Sequence, residues 1–292
     1  MNNTVAIIGL GNAGAALARA LSGKFPLRGY DVNPERRDAV ADLEIDWLSS
    51  VEAVVAEAHF ALLSLPRAEI SRVVVEAIAR TPTTVGTVIE TSTITPKVAR
   101  DLAATCKTVN IGFVDAAIAG GVQSMAAGEN TFLVGGSEGD FSLARTILEP
   151  IATRIHFLGP VGAGSGAKVV NNAVMHALMV VLIEAGAMAS KLEIPMETMT
   201  EILARPDGLM RPLEHRLRDR VCNADFTGGM SVTNARKDSL LALETAQDLG
   251  VPLFATAAAH TPYEIAEQLG YGGLDYAALA KLWESWCDLR FA

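Results

Sequence analysis

Along the first half of the chain, short solid apolar runs recur between longer mixed stretches. Val5-Ala6-Ile7-Ile8, the run from His59 to Leu65-Pro66, Thr87-Val88-Ile89-Glu90 and Val109 to Val114 each predict a buried strand. A parallel strand between two helix layers has no solvent face, so it carries no polar alternation. Thr131-Phe132-Leu133-Val134 and Ile155-His156-Phe157-Leu158 predict two further strands, stopping at Gly135-Gly136 and Gly159-Pro160. Leu27-Arg28-Gly29-Tyr30-Asp31 is read as the second strand, and helices are expected through Ala20, near Val51–Glu57 and after Pro96. From about Ser165 onward the pattern is helical throughout. Helices are expected at 165–190, 195–204, 209–219, 230–249, 252–269 and 276–289, with Pro195, Pro252 and Pro262 in first turns or at boundaries. The expected fold is α/β: a doubly wound sheet at residues 1–161, a long interdomain helix at 162–190 and an all-helical domain at 191–292.

From about Ser165 to Ser190 this helix would span ~39 Å at 1.5 Å per residue. Its apolar run from Ala173 to Ala189 approaches membrane-spanning length, but His176 and Glu184 interrupt it and no basic flank follows. A helix buried at the centre of a water-soluble protein is therefore expected, with His176 as a hydrogen-bonded core residue.

Composition narrows the function. A chain of 292 residues, half of them hydrophobic and few aromatic, suits two domains with close helix–sheet packing. A formal charge of −9 without a basic cluster argues against nucleic acid and against an anionic membrane surface as partners. Cys106, Cys222 and Cys287 are far apart and outside any C-x-x-C pattern, as free thiols in a reducing compartment would be. The five histidines are scattered singly, so no metal site is expected. The chain enters its first strand within a few residues, leaving no room for a signal peptide, and a cytoplasmic setting is expected.

The chemistry begins at Gly9-Leu10-Gly11-Asn12-Ala13-Gly14, placed between the first strand and an alanine-rich helix. In that position the first glycine permits a tight turn, the second lets a pyrophosphate approach the backbone, and the third allows close helix–strand packing. Free amides at the helix start then hold the phosphates. Asp31, at the end of the second strand, fits the acid that accepts ribose hydroxyls and repels a 2′-phosphate. NAD is thus the expected cofactor of a Rossmann-type domain, with NADP possible because Arg36 and Arg37 lie close in sequence.

Leu65 and Pro66, at the carboxyl end of their strand, are candidate walls of the cofactor crevice. In Thr91-Ser92-Thr93-Ile94-Thr95-Pro96 the hydroxyls suit either a cofactor or a helix cap, and for Thr95 a cap is expected. Gly120 and Gly121, following Ala119, offer bare amides suited to a small anion such as a carboxylate, although a turn explains them equally. Lys168, Asn171 and Asn172 fall at i, i+3 and i+4, and so project from one side of the long helix. A catalytic lysine with amide partners is one reading, and a solvated lysine beside capping asparagines is the other.

Taken together these motifs resemble the β-hydroxyacid dehydrogenase family, the relatives of 3-hydroxyisobutyrate dehydrogenase. The resemblance covers the whole chain and rests on five segments in order: Gly9–Gly14, Ser92-Thr93, Asp115–Gly121, Gly162–Asn172 and Lys237-Asp238. It implies a dinucleotide bound between a Rossmann domain and a helical domain, with Lys168 as general acid/base and Asn172, with Asn171, orienting the substrate oxygen. Thr93 and Lys237 would lie near the nicotinamide end. Arg211 is a candidate for a substrate carboxylate, since a guanidinium pairs bidentately with one. Where the family pattern has proline and serine, this chain has Ala117 and Ala119; Gln123 and Ser124 stand nearby as replacements for the missing hydroxyl.

The expected activity is NAD-dependent interconversion of a small β-hydroxy acid with its semialdehyde or keto acid by hydride transfer, in a homodimer or homotetramer. A semialdehyde or glyoxylate reductase and a non-catalytic NAD-binding regulatory protein are the alternatives. An imine reductase is disfavoured because such relatives usually replace the lysine.

Overall fold

The structure is a computed structural model and describes residues 3–292. The chain forms two compact units, one ending at Ala173 and the other running from Val174 to Ala292.

The first unit is built on an eight-stranded sheet: β1 (Val5–Ile8), β2 (Leu27–Tyr30), β3 (Ile45–Trp47), β4 (Phe60–Leu63), β5 (Thr87–Glu90), β6 (Gly112–Ala119), β7 (Asn130–Gly136) and β8 (Ala152–Phe157). Their order is β3-β2-β1-β4-β5-β6-β7-β8. All neighbours pair in parallel except β6 and β7. The helices of this unit are α1 (Asn12–Leu21), α2 (Val51–Val55), α3 (Ala68–Arg80), α4 (Pro96–Lys107), α5 (Val122–Ala126) and α6 (Glu138–Leu148).

Solid apolar strands follow from double coverage. Val5 and Ile7 of β1 enter one core cluster with α1, while Ala6 and Ile8 enter another with α2, α3 and α4. Alternate side chains of one strand thus feed opposite helix layers. Because β1 pairs with both β2 and β4, the chain order reverses there, and a crevice opens at the strands' carboxyl ends.

Three readings of strands and proline positions change. The strand read at 109–114 runs instead from Gly112 to Ala119, because antiparallel β7 pairs with Val114–Ala119 and draws Asp115–Ala119 into the sheet. The short edge strand β3 was not legible. Its three residues are only partly covered and carry no solid apolar run. Pro262 lies inside a helix of the second unit and not at a boundary.

Helix α7 (Ala163–Lys191) is continuous across the division between the units. Among the described residues it is the one helix long and apolar enough, by length and composition, to cross a membrane, yet only 17% of that stretch is buried. Val170, Val174, Met179 and Ile183 are more than half exposed, and His176 is exposed as well. This corrects the expectation of a buried central helix with a core histidine. The apolar composition is there, but the core of the second unit is assembled from residues of other elements, among them Val221, Val232 and Leu282.

The second unit continues with α8 (Met196–Ala204), a π-helical segment (Pro212–Arg218), α9 (Val232–Leu249), α10 (Ala255–Gln268) and α11 (Ala280–Cys287). Glu184 of α7 ties its parts together. Its carboxylate accepts the amides of Phe254, Ala255 and Thr256 and the Thr256 hydroxyl, at 2.6–3.0 Å, capping the start of α10. Buried Asp275 meets the Arg216 guanidinium at 3.1 Å, and Arg216 lies over the Tyr276 ring.

Candidate active site

The glycine turn divides its labour as the sequence suggests. Gly9 has φ +91, and a β-carbon there would stand 2.3 Å from the Ser64 carbonyl oxygen. One on Gly14 would stand 1.9 Å from the Gly9 oxygen. Both positions are closed to any side chain by the protein's own backbone. Gly11 is different: a β-carbon there meets nothing within 4 Å. Open space therefore lies before the first turn of α1, whose amides no side chain caps.

Asp31 follows β2 and faces the same turn. Its Oδ2 accepts the Leu10 amide at 2.7 Å and its Oδ1 the Asn33 amide at 2.8 Å. Each carboxylate oxygen retains acceptor capacity, so a fixed acid stands ready for hydroxyl donors. An uncapped helix start, an unobstructed Gly11 and a carboxylate bound to the turn fit a dinucleotide.

A cleft of about 300 Å³ opens at the carboxyl ends of β4, β5 and β6. Ala13, Leu65, Pro66, Thr93, Gly120 and Lys168, six of the residues singled out in the sequence, line it together. Thr91 and Ser92 share the wall but are committed to the protein: Thr91 Oγ1 donates to the Leu63 carbonyl, and Ser92 Oγ accepts the Leu65 amide, both at 2.7 Å. Thr93 is left exposed in the cleft, while Thr95 caps α4 as expected. The amides of Gly120 and Gly121 have no backbone acceptor among the described residues, and a β-carbon on either glycine would meet open space.

Lys168 is partly buried and forms no ion pair among the described residues. Desolvation holds its amine below the usual lysine range. Asn171 and Asn172 are half-buried on the same helix, and Asn171 Nδ2 donates to Asn172 Oδ1 at 3.3 Å.

The helix that carries Lys168 is fastened by a residue to which sequence reasoning gave no role. Asp115, buried on β6, accepts the Gly162 amide at 2.8 Å and the Ser165 amide at 2.6 Å. Burial pushes its carboxyl up and these amides pull it back. Gly164 permits the contact: a β-carbon there would lie 2.3 Å from the Leu133 carbonyl oxygen and 2.6 Å from that of Asp115. The first turn of α7 is thus pressed onto β6 and β7. Met125 and Ile118 also went unread as cleft walls. Alternation along a strand extended to Ala119 would have placed Ile118, but nothing local marks Met125.

Two candidates belong to the second unit. Arg211 pairs with Asp207 at 3.3 Å, and exposed Lys237 with Asp238 at 3.2 Å. Among the described residues no group of three or more His, Cys, Asp or Glu side chains is arranged to hold a metal ion.

Comparison with known proteins agrees over the full length. Residues 4–159 match the NAD binding domain of 6-phosphogluconate dehydrogenase, and residues 162–283 match the family described as NAD-binding of NADP-dependent 3-hydroxyisobutyrate dehydrogenase. The chain is 31% identical to 2-(hydroxymethyl)glutarate dehydrogenase of Eubacterium barkeri, over 96% of this chain and 94% of that protein. A solved structure of 3-hydroxyisobutyrate dehydrogenase from Mycobacterium tuberculosis with L-serine is 30% identical, with a TM-score of 0.65 over 97% of this chain and 99% of the other. An imine reductase from Pseudomonas sp. shares the fold at a TM-score of 0.87, over 96% of this chain and 99% of the other, with 20% identity. The chain belongs to the β-hydroxyacid dehydrogenase family of NAD(P)-dependent oxidoreductases.

Proposed function

We propose that this chain oxidises a 3-hydroxypropanoate bearing a small substituent at C2, with Lys168 as general acid/base. The observation that carries the reading is the position of Lys168: a partly desolvated amine without an ion pair, lining one cleft with Thr93, Gly120 and Ala13. Hydroxymethylglutarate, hydroxyisobutyrate and serine, named for the relatives, are all 3-hydroxypropanoates that differ only at C2. Residues Gly9–Gly14 and Asp31 hold the dinucleotide, and Leu65 and Pro66 wall its pocket. Once bound, NAD, or NADP in its place, supplies the two-electron chemistry at the hydroxyl-bearing carbon.

The protein's own work is proton transfer and orientation. Neutral Lys168 takes the hydroxyl proton at Nζ as the carbon is oxidised, and returns it in the reverse direction. An amine lowered toward neutrality by desolvation serves both steps. Asn172, fixed by Asn171, orients the reacting oxygen. The amides of Gly120 and Gly121 hold the carboxylate, with Ala119 leaving apolar space where a serine hydroxyl would otherwise stand. Thr93 serves the nicotinamide end.

The exposed apolar face of α7 is covered by a second copy of the chain, in a homodimer or homotetramer, and the protein works in the cytoplasm. Sedimentation of the purified protein tests the assembly. The activity is tested by following reduced dinucleotide with a panel of C2-substituted 3-hydroxypropanoates and secondary hydroxy acids. Turnover confined to the primary alcohols supports the reading, and turnover confined to secondary alcohols or imines overturns it.

A further inference from the structure

Glu90 ends β5 with no exposed surface, directly beneath the cleft, and the chemistry above makes no use of it. Its Oε1 accepts the Ser92 amide at 2.8 Å, while its Oε2 is buried without a partner. Ser71, also fully buried, stands beside it on α3. Desolvation pushes the carboxyl up, and Asp115, its register partner on β6, adds to that. A buried acid with one carboxyl oxygen outside the Ser92 contact is costly to desolvate, and the hydrogen bonds of Ser92 and Ser71 offset part of that cost.

What Glu90 touches indicates its use. Ser92 Oγ accepts the Leu65 amide at 2.7 Å, which leaves its own hydrogen free for the Glu90 carboxyl. Glu90 and Ser92 therefore join two wall segments of the cleft, Ser64–Pro66 and Thr91–Thr93, at a point where Pro66 offers no amide of its own.

We propose that Glu90 is a positioning residue for the bound dinucleotide, acting through Ser92 to hold Leu65 and Thr93 in register across the cleft. The proposal rests on the reading of this cleft as the cofactor end of the active site. It does not depend on the identity of the alcohol, because its test reads cofactor affinity.

The test is a set of full-length variants, Glu90→Leu, Glu90→Gln, Ser92→Ala and Glu90→Leu/Ser92→Ala, each measured for NAD affinity by calorimetry and for thermal stability. Glu90→Leu, which strands the buried Ser92 amide, should melt below wild type and bind NAD at least tenfold more weakly. Glu90→Gln, which can still accept the Ser92 amide, should stay within threefold of wild type. The double variant should lose less affinity than the product of the two single losses. Affinity within threefold of wild type for Glu90→Leu overturns the proposal, as does a double variant whose loss is the product of the two single losses. Should Glu90→Leu fail to fold, Glu90→Gln and Ser92→Ala decide: equal tenfold losses in both contradict the rescue. Wild type that binds NAD but turns over no hydroxy acid defeats the proposed reaction alone and leaves the affinity comparison intact.

Discussion

Asp115 on β6 accepts the amide of Ser165 at 2.6 Å, so the sheet grips the helix that carries the candidate acid/base one turn before Lys168. The same carboxyl takes the Gly162 amide, and the backbone contact at Gly164 leaves no slack between helix and strands. Asp115→Ala strands two buried amide donors, at ~1–3 kcal/mol each. The variant should melt several degrees lower and lose kcat by more than its NAD affinity falls. Calorimetry and steady-state kinetics on one preparation would check both. An unchanged kcat would mean the helix holds its place without this anchor.

Gly11 and Gly14 separate packing from ligand binding. A β-carbon on Gly14 collides with the Gly9 backbone, whereas one on Gly11 meets nothing of the protein. Gly14→Ala should therefore destabilise the fold. Gly11→Ala should melt within about a degree of wild type and bind NAD at least tenfold more weakly, because the added methyl would stand where the phosphates approach. Equal losses of stability in the two variants would contradict the assignment.

Asp31 is held by the Leu10 and Asn33 amides with acceptor capacity to spare. Replacing it with serine removes a charged acceptor for ribose hydroxyls and a repulsion toward a 2′-phosphate. Hydrogen bonds to a charged group are worth ~1.5–3 kcal/mol, so NAD affinity should fall by roughly 10–100-fold while NADP gains relative to NAD. Paired titrations of the two dinucleotides measure the ratio, and a ratio unchanged within twofold would remove Asp31 from cofactor selection.

Glu184 gives the second unit a pH dependence. Desolvation works against its charge, but the hydrogen bonds from Thr256, Ala255 and Phe254 outweigh it and hold the carboxyl at about 2, against an ordinary 4.5. With the folded value below the unfolded one, its contribution to stability is complete above about 4.5 and disappears as pH falls toward 2. Glu184→Gln should melt below wild type at neutral pH, and the two melting curves should converge as the pH approaches 2. A gap that stays constant down to the lowest pH would show that the charge is not what Glu184 contributes.

How much of this was legible in the sequence follows from how local each signal is. Gly9–Gly14, the strands at Val5 and Thr87 and the cap at Thr95 announce themselves within a few residues. Lys168, Thr93 and Gly120 were read from motif spacing, and the sheet brings them to one cleft. The anchoring role of Asp115 is not legible, although its segment is part of the resemblance, because topology selects its partners: it reaches amides 47 and 50 residues away. The length of β6 was misread for the same reason, since only its antiparallel pairing with β7 extends it to Ala119. Helix α7 was misjudged differently. Apolar composition says that a surface is to be covered, and not that its own chain covers it.

Lys168 tests the account most directly. In Lys168→Ala, NAD affinity measured by calorimetry should stay within threefold of wild type, while kcat for the best 3-hydroxypropanoate falls by at least 10³, within the range a positioned acid/base contributes. Turnover that survives within tenfold of wild type would show that this amine does not carry the proton.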